Sequence, residues 1–268
     1  MLKWILVTVL CLNSVSFTLY RIVWLNSLDG KSADLVCTTA ADASSAEMTY
    51  LVAGNLNQPT AAFAFLEPEL DGNVTYAPFG VCGWQAQATA EQILDDISEH
   101  GYTKVNVYTI SLGDHVARYI EAGIDDSECS LQVYAINPCP TAEAVKQPLR
   151  GLLTASVVPF EGVCYALGWL SIIPVIPTPG DNYSLILLAD QYWEIVFDDA
   201  PHDISHTVGV VCSYPTPDAV DDGILLNAVL QEYYQDVPVV MVETSHGDTI
   251  GQAEKYLQAI RVLQDTLH

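Results

Sequence analysis

A serine becomes a nucleophile when a sharp turn lifts its hydroxyl clear of the backbone. Residues Lys104-Val105-Asn106-Val107-Tyr108-Thr109-Ile110-Ser111-Leu112-Gly113 have the composition for such a turn. A strand pattern runs into small-x-Ser-x-Gly, and a helical pattern carrying Val116, Ala117 and Ile120 follows and stops at Gly123. Small flanking residues let strand and helix approach each other, and the turn exposes Ser111 at the sheet rim. The amide of Leu112 then opens a helix, where its unpaired N–H and the helix dipole favour an oxyanion. The chemistry is attack on an ester-like carbonyl. Thr109 stands at the first small position and Asp114 follows Gly113, both departures from the glycine-flanked form of this turn. The other reading of the same residues is a strand-to-helix turn whose serine is an N-cap.

A nucleophile of this kind needs elements that hold it against partners from elsewhere in the chain. Short runs rich in β-formers occur at Thr49–Ala53, Val74–Pro78, Lys104–Ile110, Leu131–Ile136, Thr207–Ser213 and Pro238–Glu243. Each is too short for a core helix and is bounded by turn residues. Helical patterns lie between several of them. Thr89 and Gln92 form a capping box ahead of Ile93, Leu94 and Ile97, with Gly101 as the stop. Ile250, Ala253, Tyr256, Leu257, Ile260 and Leu263 recur with a 3.6-residue period in the last stretch. Strand–helix alternation of this sort predicts an α/β fold with a mostly parallel sheet and helices on both faces.

Residues 140–204 break the alternation. The segment is apolar and aromatic, with Phe160, Trp169, Trp193 and Phe197, and is punctuated by Pro174, Pro177 and Pro179. It is too long for an ordinary connection and too apolar for a solvated loop, so it reads as an inserted cap, with an extra core layer as the alternative. Residues 23–47 are mostly small and polar and read as a linker. Residues 1–22 place Lys3 before an apolar run that ends near Arg21, the pattern of a signal peptide or short membrane anchor, which implies an exported chain, secreted or membrane-associated through this segment.

The 268-residue chain carries 33 acidic and 9 basic residues, for a net charge of −24, with half its residues hydrophobic. A sizeable core is therefore available, while the charge repels phosphate backbones and excludes nucleic acid as a natural partner. Of the seven cysteines, Cys11 lies in the leader and six remain, with no legible pairing and no CxxC zinc pattern. Asn73-Val74-Thr75 and Asn182-Tyr183-Ser184 fit the glycosylation sequon. No phosphate loop, paired-histidine metal motif or calcium loop occurs, and no cofactor is implied.

With these elements in place, the chain from about residue 48 to its end resembles the α/β-hydrolase family. Thr49-Tyr50-Leu51-Val52-Ala53-Gly54-Asn55 resembles the family's strand ending in His-Gly-x, with Ala53 in place of histidine. The resemblance gives Asn55, together with Leu112, the oxyanion-binding amides. Val242-Glu243-Thr244-Ser245-His246-Gly247-Asp248 resembles the loop that carries the catalytic base, which implies that His246 is that base. The acid is expected in the loop after Thr207–Ser213. Asp218 is the first candidate there and Asp221 the second, against a reading in which these aspartates cap a helix. Phe79 and Trp84 fall in a region that lines the entrance in the family, where substrate contact and plain packing are both open.

The resemblance implies one hydrolase domain over 48–268 with the 140–204 cap inserted between strands 6 and 7 of the family's count. The expected activity is hydrolysis of a small-molecule or lipid ester, carboxylesterase- or lipase-like, through a Ser111 acyl-enzyme. The alternatives are a membrane-anchored binding protein that kept the fold without the chemistry, and an acyltransferase that passes the acyl group to an acceptor other than water.

Overall fold

The computed structural model describes residues 36–37, 45–54, 59–77, 86–144, 201–215, 222, 225–246, 248–249 and 251–266. The leader, most of the linker and residues 145–200 of the expected cap lie outside the described residues, as do Phe79 and Trp84.

Seven strands form one sheet in the order β1-β3-β2-β4-β5-β6-β7. They are β1 (Val36–Cys37), β2 (Glu47–Val52), β3 (Asn73–Ala77), β4 (Lys104–Ile110), β5 (Ser130–Ile136), β6 (Thr207–Tyr214) and β7 (Val239–Glu243). Pairing from β3 through β7 is parallel. Only β1 is antiparallel, with Val36 opposite Tyr76. Thus two residues within the stretch read as a linker extend the sheet by one strand. The expected strands match β2 to β7 closely, because each is a compact run rich in β-branched or aromatic residues, covered on both faces in β2 to β6 and more exposed in β7.

Alternation along the central strands divides the core in two. Tyr50, Val52, Val105, Val107, Val133, Ala135, Val210 and Cys212 face one side. There α2 (Ala86–His100), α3 (Asp114–Gly123) and α4 (Asn227–Tyr233) cover them. Leu51, Tyr108, Ile110, Tyr134, Ile136 and Val211 face the other side, under Phe63, Leu66 and α5 (Ala253–Asp265). The rings of Tyr108 and Tyr134 stack at 4.7 Å on that second face. A one-turn helix α1 (Pro59–Ala62) precedes the Phe63–Leu66 packing.

Two local expectations change. Helix α2 starts at Ala86, so Thr89 is a buried interior residue and not an N-cap. The apolar face of α2 extends back to Ala86 and Ala90, and this packing sets the start in place of the capping box. Asn73 is 2% exposed within β3, which leaves no room for a glycan, while the second sequon lies outside the described residues. Cys129, Cys139 and Cys212 are buried free thiols.

The chain leaves β2 for β3 on one side and then returns to β4 on the other. The strand order reverses between β2 and β4, and a crevice at the carboxyl ends of such strands is where open α/β sheets bind ligands. Gly54 follows β2 and Ser111 follows β4 at that point.

Candidate active site

Ile110 at the end of β4 is still extended (φ −127°, ψ 129°), and Ser111 switches to φ 55°. A non-glycine residue in this left-handed region costs on the order of 1–2 kcal/mol. The surrounding backbone holds it there. A Cβ on Gly113 would sit 2.5 Å from the Val52 carbonyl oxygen and 2.9 Å from that of Ala53. A Cβ on Gly54 would sit 2.6 Å from the Ile110 oxygen and 2.7 Å from Ser111 Cβ. Only bare backbone at 54 and 113 lets the end of β2 and the 111–123 helical segment close on the serine. Ala53 is 1% exposed, and at that position the small side chain is enclosed by this packing.

His246 reaches the serine from the loop after β7. Its Nε2 lies 3.1 Å from Ser111 Oγ, and its Nδ1 lies 2.6 Å from Asp222 Oδ2. A carboxylate only accepts, so the proton sits on Nδ1, and Nε2 is left to accept the Ser111 hydroxyl proton. Asp222 is 1% exposed and is fixed on three further sides. Its Oδ1 accepts the Leu225 N–H at 2.6 Å, its own N–H donates to the Leu225 oxygen at 3.1 Å, and its carbonyl accepts the His246 N–H at 2.9 Å. The loop bearing the acid and the loop bearing the imidazole are therefore bonded to each other through backbone as well as side chain.

Asp222 occupies the position that the sequence reading assigned to Asp218, with Asp221 second. Both of those lie outside the described residues, as does Asn55. The signal for Asp222 was its spacing of three residues from Leu225, ahead of α4. A carboxylate there can close on the amide three positions on, which leaves its other oxygen free for a partner. The reading favoured the aspartate nearest the strand end and missed this constraint.

Leu112 opens the helical segment, where the first amides have no intrahelical partner, and a Cβ on Gly54 would lie 3.3 Å from the Leu112 nitrogen. The Leu112 nitrogen therefore lies beside the serine, next to the end of β2. Of the two departures from the expected turn, Asp114 has a structural role. Asp114 is 1% exposed and accepts from Arg118 Nη2 at 2.8 Å and from the Tyr234 hydroxyl at 2.9 Å. Arg118 donates in addition to the hydroxyls of Tyr233 and Tyr234, both at 2.6 Å. This buried network locks α3, which starts just after the serine, to the end of α4. Thr109 is fully buried behind the turn, and its hydroxyl finds no partner among the described residues.

The remaining histidines are placed elsewhere. His115 is buried on α3, with Nε2 2.8 Å from the Cys139 oxygen. His100, His202 and His206 contact Asp96, Tyr233 and Asp126. Among the described residues no cluster of three or more His, Cys, Asp or Glu could hold a metal ion, and no helix is long and apolar enough to cross a membrane.

A scan against protein-family models and a search of curated proteins each return no match. Solved structures do match over nearly the whole chain. A lipase-esterase related protein from Clostridium acetobutylicum is 12% identical with a TM-score of 0.53, over 87% of this chain and 98% of that one. A hydrolase from Oleispira antarctica is 13% identical with a TM-score of 0.56, over 86% and 94%. MenH from S. aureus is 10% identical with a TM-score of 0.53, over 85% and 97%.

Proposed function

From the α/β-hydrolase fold that this chain has, we propose that it is a serine hydrolase cleaving a carboxylic ester, with Ser111 as nucleophile, His246 as base and Asp222 as the acid that orients it. One observation carries the reading. The hydroxyl of a left-handed serine at the strand-order reversal lies 3.1 Å from an imidazole whose far nitrogen is held by a buried carboxylate. A strained, buried arrangement of this kind serves no packing purpose, and such strain collects at functional sites.

The steps follow from the protons. Ser111 Oγ attacks the ester carbonyl while its proton passes to His246 Nε2. The oxyanion of the tetrahedral intermediate is stabilised by the Leu112 N–H, with the Asn55 N–H as the second proposed donor. Collapse breaks the bond to the alkoxy oxygen, which takes the proton from Nε2 and leaves as the alcohol. Water then attacks the acyl-enzyme, again giving a proton to Nε2, and the acid departs as Oγ is reprotonated. Asp222 holds the imidazole in place and stabilises the imidazolium that forms twice per cycle. The substrate class is a small-molecule or lipid ester. The similar structures include a lipase-esterase related protein and a hydrolase, which supports that class. Residues 140–204 are proposed to form the cap over the pocket, and residues 1–22 to direct export or membrane attachment.

The test is labelling with a fluorophosphonate probe, read by intact mass. The expected result is one adduct on the wild-type protein, mapped to Ser111, and none on Ser111→Ala. No adduct on folded wild-type protein refutes the enzyme and favours the binding-protein reading. If labelling occurs, adding alcohols or amines during turnover separates hydrolysis from acyl transfer by the products formed.

A further inference from the structure

A chain of buried hydrogen bonds runs behind the acid, and its centre is Asn137. This residue follows β5, is fully buried and has φ 46°. Its N–H donates to the Val211 carbonyl at 2.7 Å. Its Oδ1 accepts the Ser213 hydroxyl at 2.9 Å, and its Nδ2 donates to the Tyr256 hydroxyl at 3.0 Å. Tyr256 donates in turn to the carbonyl of Ser245, the residue before His246, at 3.4 Å. Ser213 Oγ also lies 3.5 Å from Asp222 Oδ2, the oxygen that receives the imidazole proton. One amide thus joins the strand beneath Asp222 to the loop that carries His246.

Ser213 has one hydroxyl proton, with Asn137 Oδ1 and Asp222 Oδ2 both within 3.5 Å and the Tyr256 hydroxyl also within hydrogen-bond reach. We propose that Asn137 is a positioning residue for the Ser111–His246–Asp222 site, which holds the Ser213 proton on its own Oδ1 and so keeps that hydroxyl from competing with His246 for Asp222 Oδ2. The proposal rests on the serine-hydrolase reading of that site. Without the amide, the hydroxyl turns to Asp222 and donates to it. A carboxylate that gains a further donor holds a neighbouring imidazolium less strongly. The base then titrates at lower pH and the transition state loses part of its stabilisation.

Other titratable groups that face Asp222 do not obscure this effect. Among the described residues they are Tyr256 on α5, Cys212 on β6 and Cys139 after β5. Burial raises all three, Cys212 to about 12, so they remain neutral across the range in which an imidazole titrates. Asp114, which also lies near Cys139, is compensated by Arg118. Asp248 on the His246 loop is engaged by the Gly251 N–H, and Lys255 on α5 donates to the Glu243 carbonyl.

The experiment is the pH profile of kcat/KM for p-nitrophenyl acetate, on the full chain. Asn137→Gly removes the amide and suits the left-handed backbone. It is expected to lower kcat about tenfold with little change in KM, and to move the acid limb to lower pH by roughly half a pH unit or more. Asn137→Asp keeps an acceptor for Ser213 and, when ionised, adds negative charge behind Asp222, so its acid limb is expected to move to higher pH. The double variant Asn137→Gly with Ser213→Ala has no hydroxyl left to compete, and its acid limb returns to the wild-type position. An Asn137→Gly profile superimposable on wild type, or a shift that persists in the double variant, overturns the proposal. Fluorophosphonate labelling of wild-type Ser111 is the separate check. Its failure removes the parent reading, whereas labelling with an unmoved profile removes only the role of Asn137.

Discussion

Replacing Asp222 by asparagine isolates the acid with almost no change of volume. In the folded protein, Oδ1 accepts the Leu225 N–H at 2.6 Å and Oδ2 accepts the His246 Nδ1–H at 2.6 Å. An amide has one acceptor oxygen and one donor nitrogen. If the oxygen keeps Leu225, the NH2 faces Nδ1, and the imidazole must carry its proton on Nε2. It then presents a donor to Ser111 at the 3.1 Å contact and cannot take the hydroxyl proton. If the oxygen turns to His246, the NH2 meets the Leu225 N–H, two donors at 2.6 Å, and the bend before α4 is pushed apart. The first arrangement costs less, so the loss falls mainly on catalysis. A wrong tautomer in a site of this type lowers kcat by about 10⁴-fold, equivalent to roughly 5 kcal/mol of transition-state stabilisation. The assay is steady-state hydrolysis of p-nitrophenyl acetate beside thermal unfolding of the same samples. The expected result is a fall of about 10³- to 10⁴-fold in kcat, with KM within a few-fold and the unfolding midpoint lowered only slightly. Asp218→Asn and Asp221→Asn serve as parallel variants and are expected to stay within a few-fold of wild type. An Asp222→Asn enzyme within tenfold of wild type, beside a large loss in either of the others, refutes the assignment of the acid.

Three further outcomes follow from the packing and the charges. Gly113→Ala forces a methyl to 2.5 Å from the Val52 oxygen, a backbone atom that cannot swing away, and is expected to cost about 3 kcal/mol or more by chemical denaturation; a loss under about 1 kcal/mol contradicts the close approach. Glu121 is buried beneath the start of β6, accepting from Thr207 Oγ1 and the His206 N–H, and burial raises its carboxyl to about 7 despite those bonds. The folded state therefore holds a proton that the unfolded chain releases near pH 4.5, so this stability is fully present below about pH 4.5 and is lost as pH rises through 7. Glu121→Gln is expected to flatten the fall between pH 5 and pH 8 by on the order of 2–3 kcal/mol, and an unchanged pH dependence counts against the buried carboxylic acid. The net charge of −24 predicts that added sodium chloride raises the unfolding temperature, most steeply below about 0.2 M where screening changes fastest; a flat or falling curve means that self-repulsion is not a significant term.

The legible parts of this chain were those written in local periodicity. Strands β2 to β6 stand out because each is a short β-rich run with both faces buried, β7 because Val239, Val240 and Val242 make a short β-branched run, and α5 because Tyr256, Leu257, Ile260 and Leu263 mark one face. Ser111 was legible because its turn needs small residues at fixed positions, and Gly54 and Gly113 are where a Cβ would strike backbone. Strand β1 was not legible, since two residues carry no period and their pairing with Tyr76 and Thr75 is a long-range event. Helix α4 is seven residues long, and aspartates crowd the segment before it, so its start at Asn227 was obscured. Asp222 was missed for a related reason. Several carboxylates fall within a few residues of each other, and only the bonds to Leu225 and His246 distinguish one of them. The role of Asn137 depends on Ser213 and Tyr256, residues 76 and 119 positions away, which no local pattern brings together.

The two halves of the proposed proton transfer are anchored very unequally. Ser111 directly follows β4, an interior strand with β2 on one side and β5 on the other. His246 follows β7, an edge strand of the sheet, which among the described residues pairs with β6 alone and shows Met241 to solvent. On warming or in mild denaturant, the rim of a sheet frays before its middle. Hydrolytic power is therefore expected to vanish while the bulk of the protein is still intact. The proposed nucleophile is secure, and what sets the working lifetime is the grip of a single flank on the imidazole.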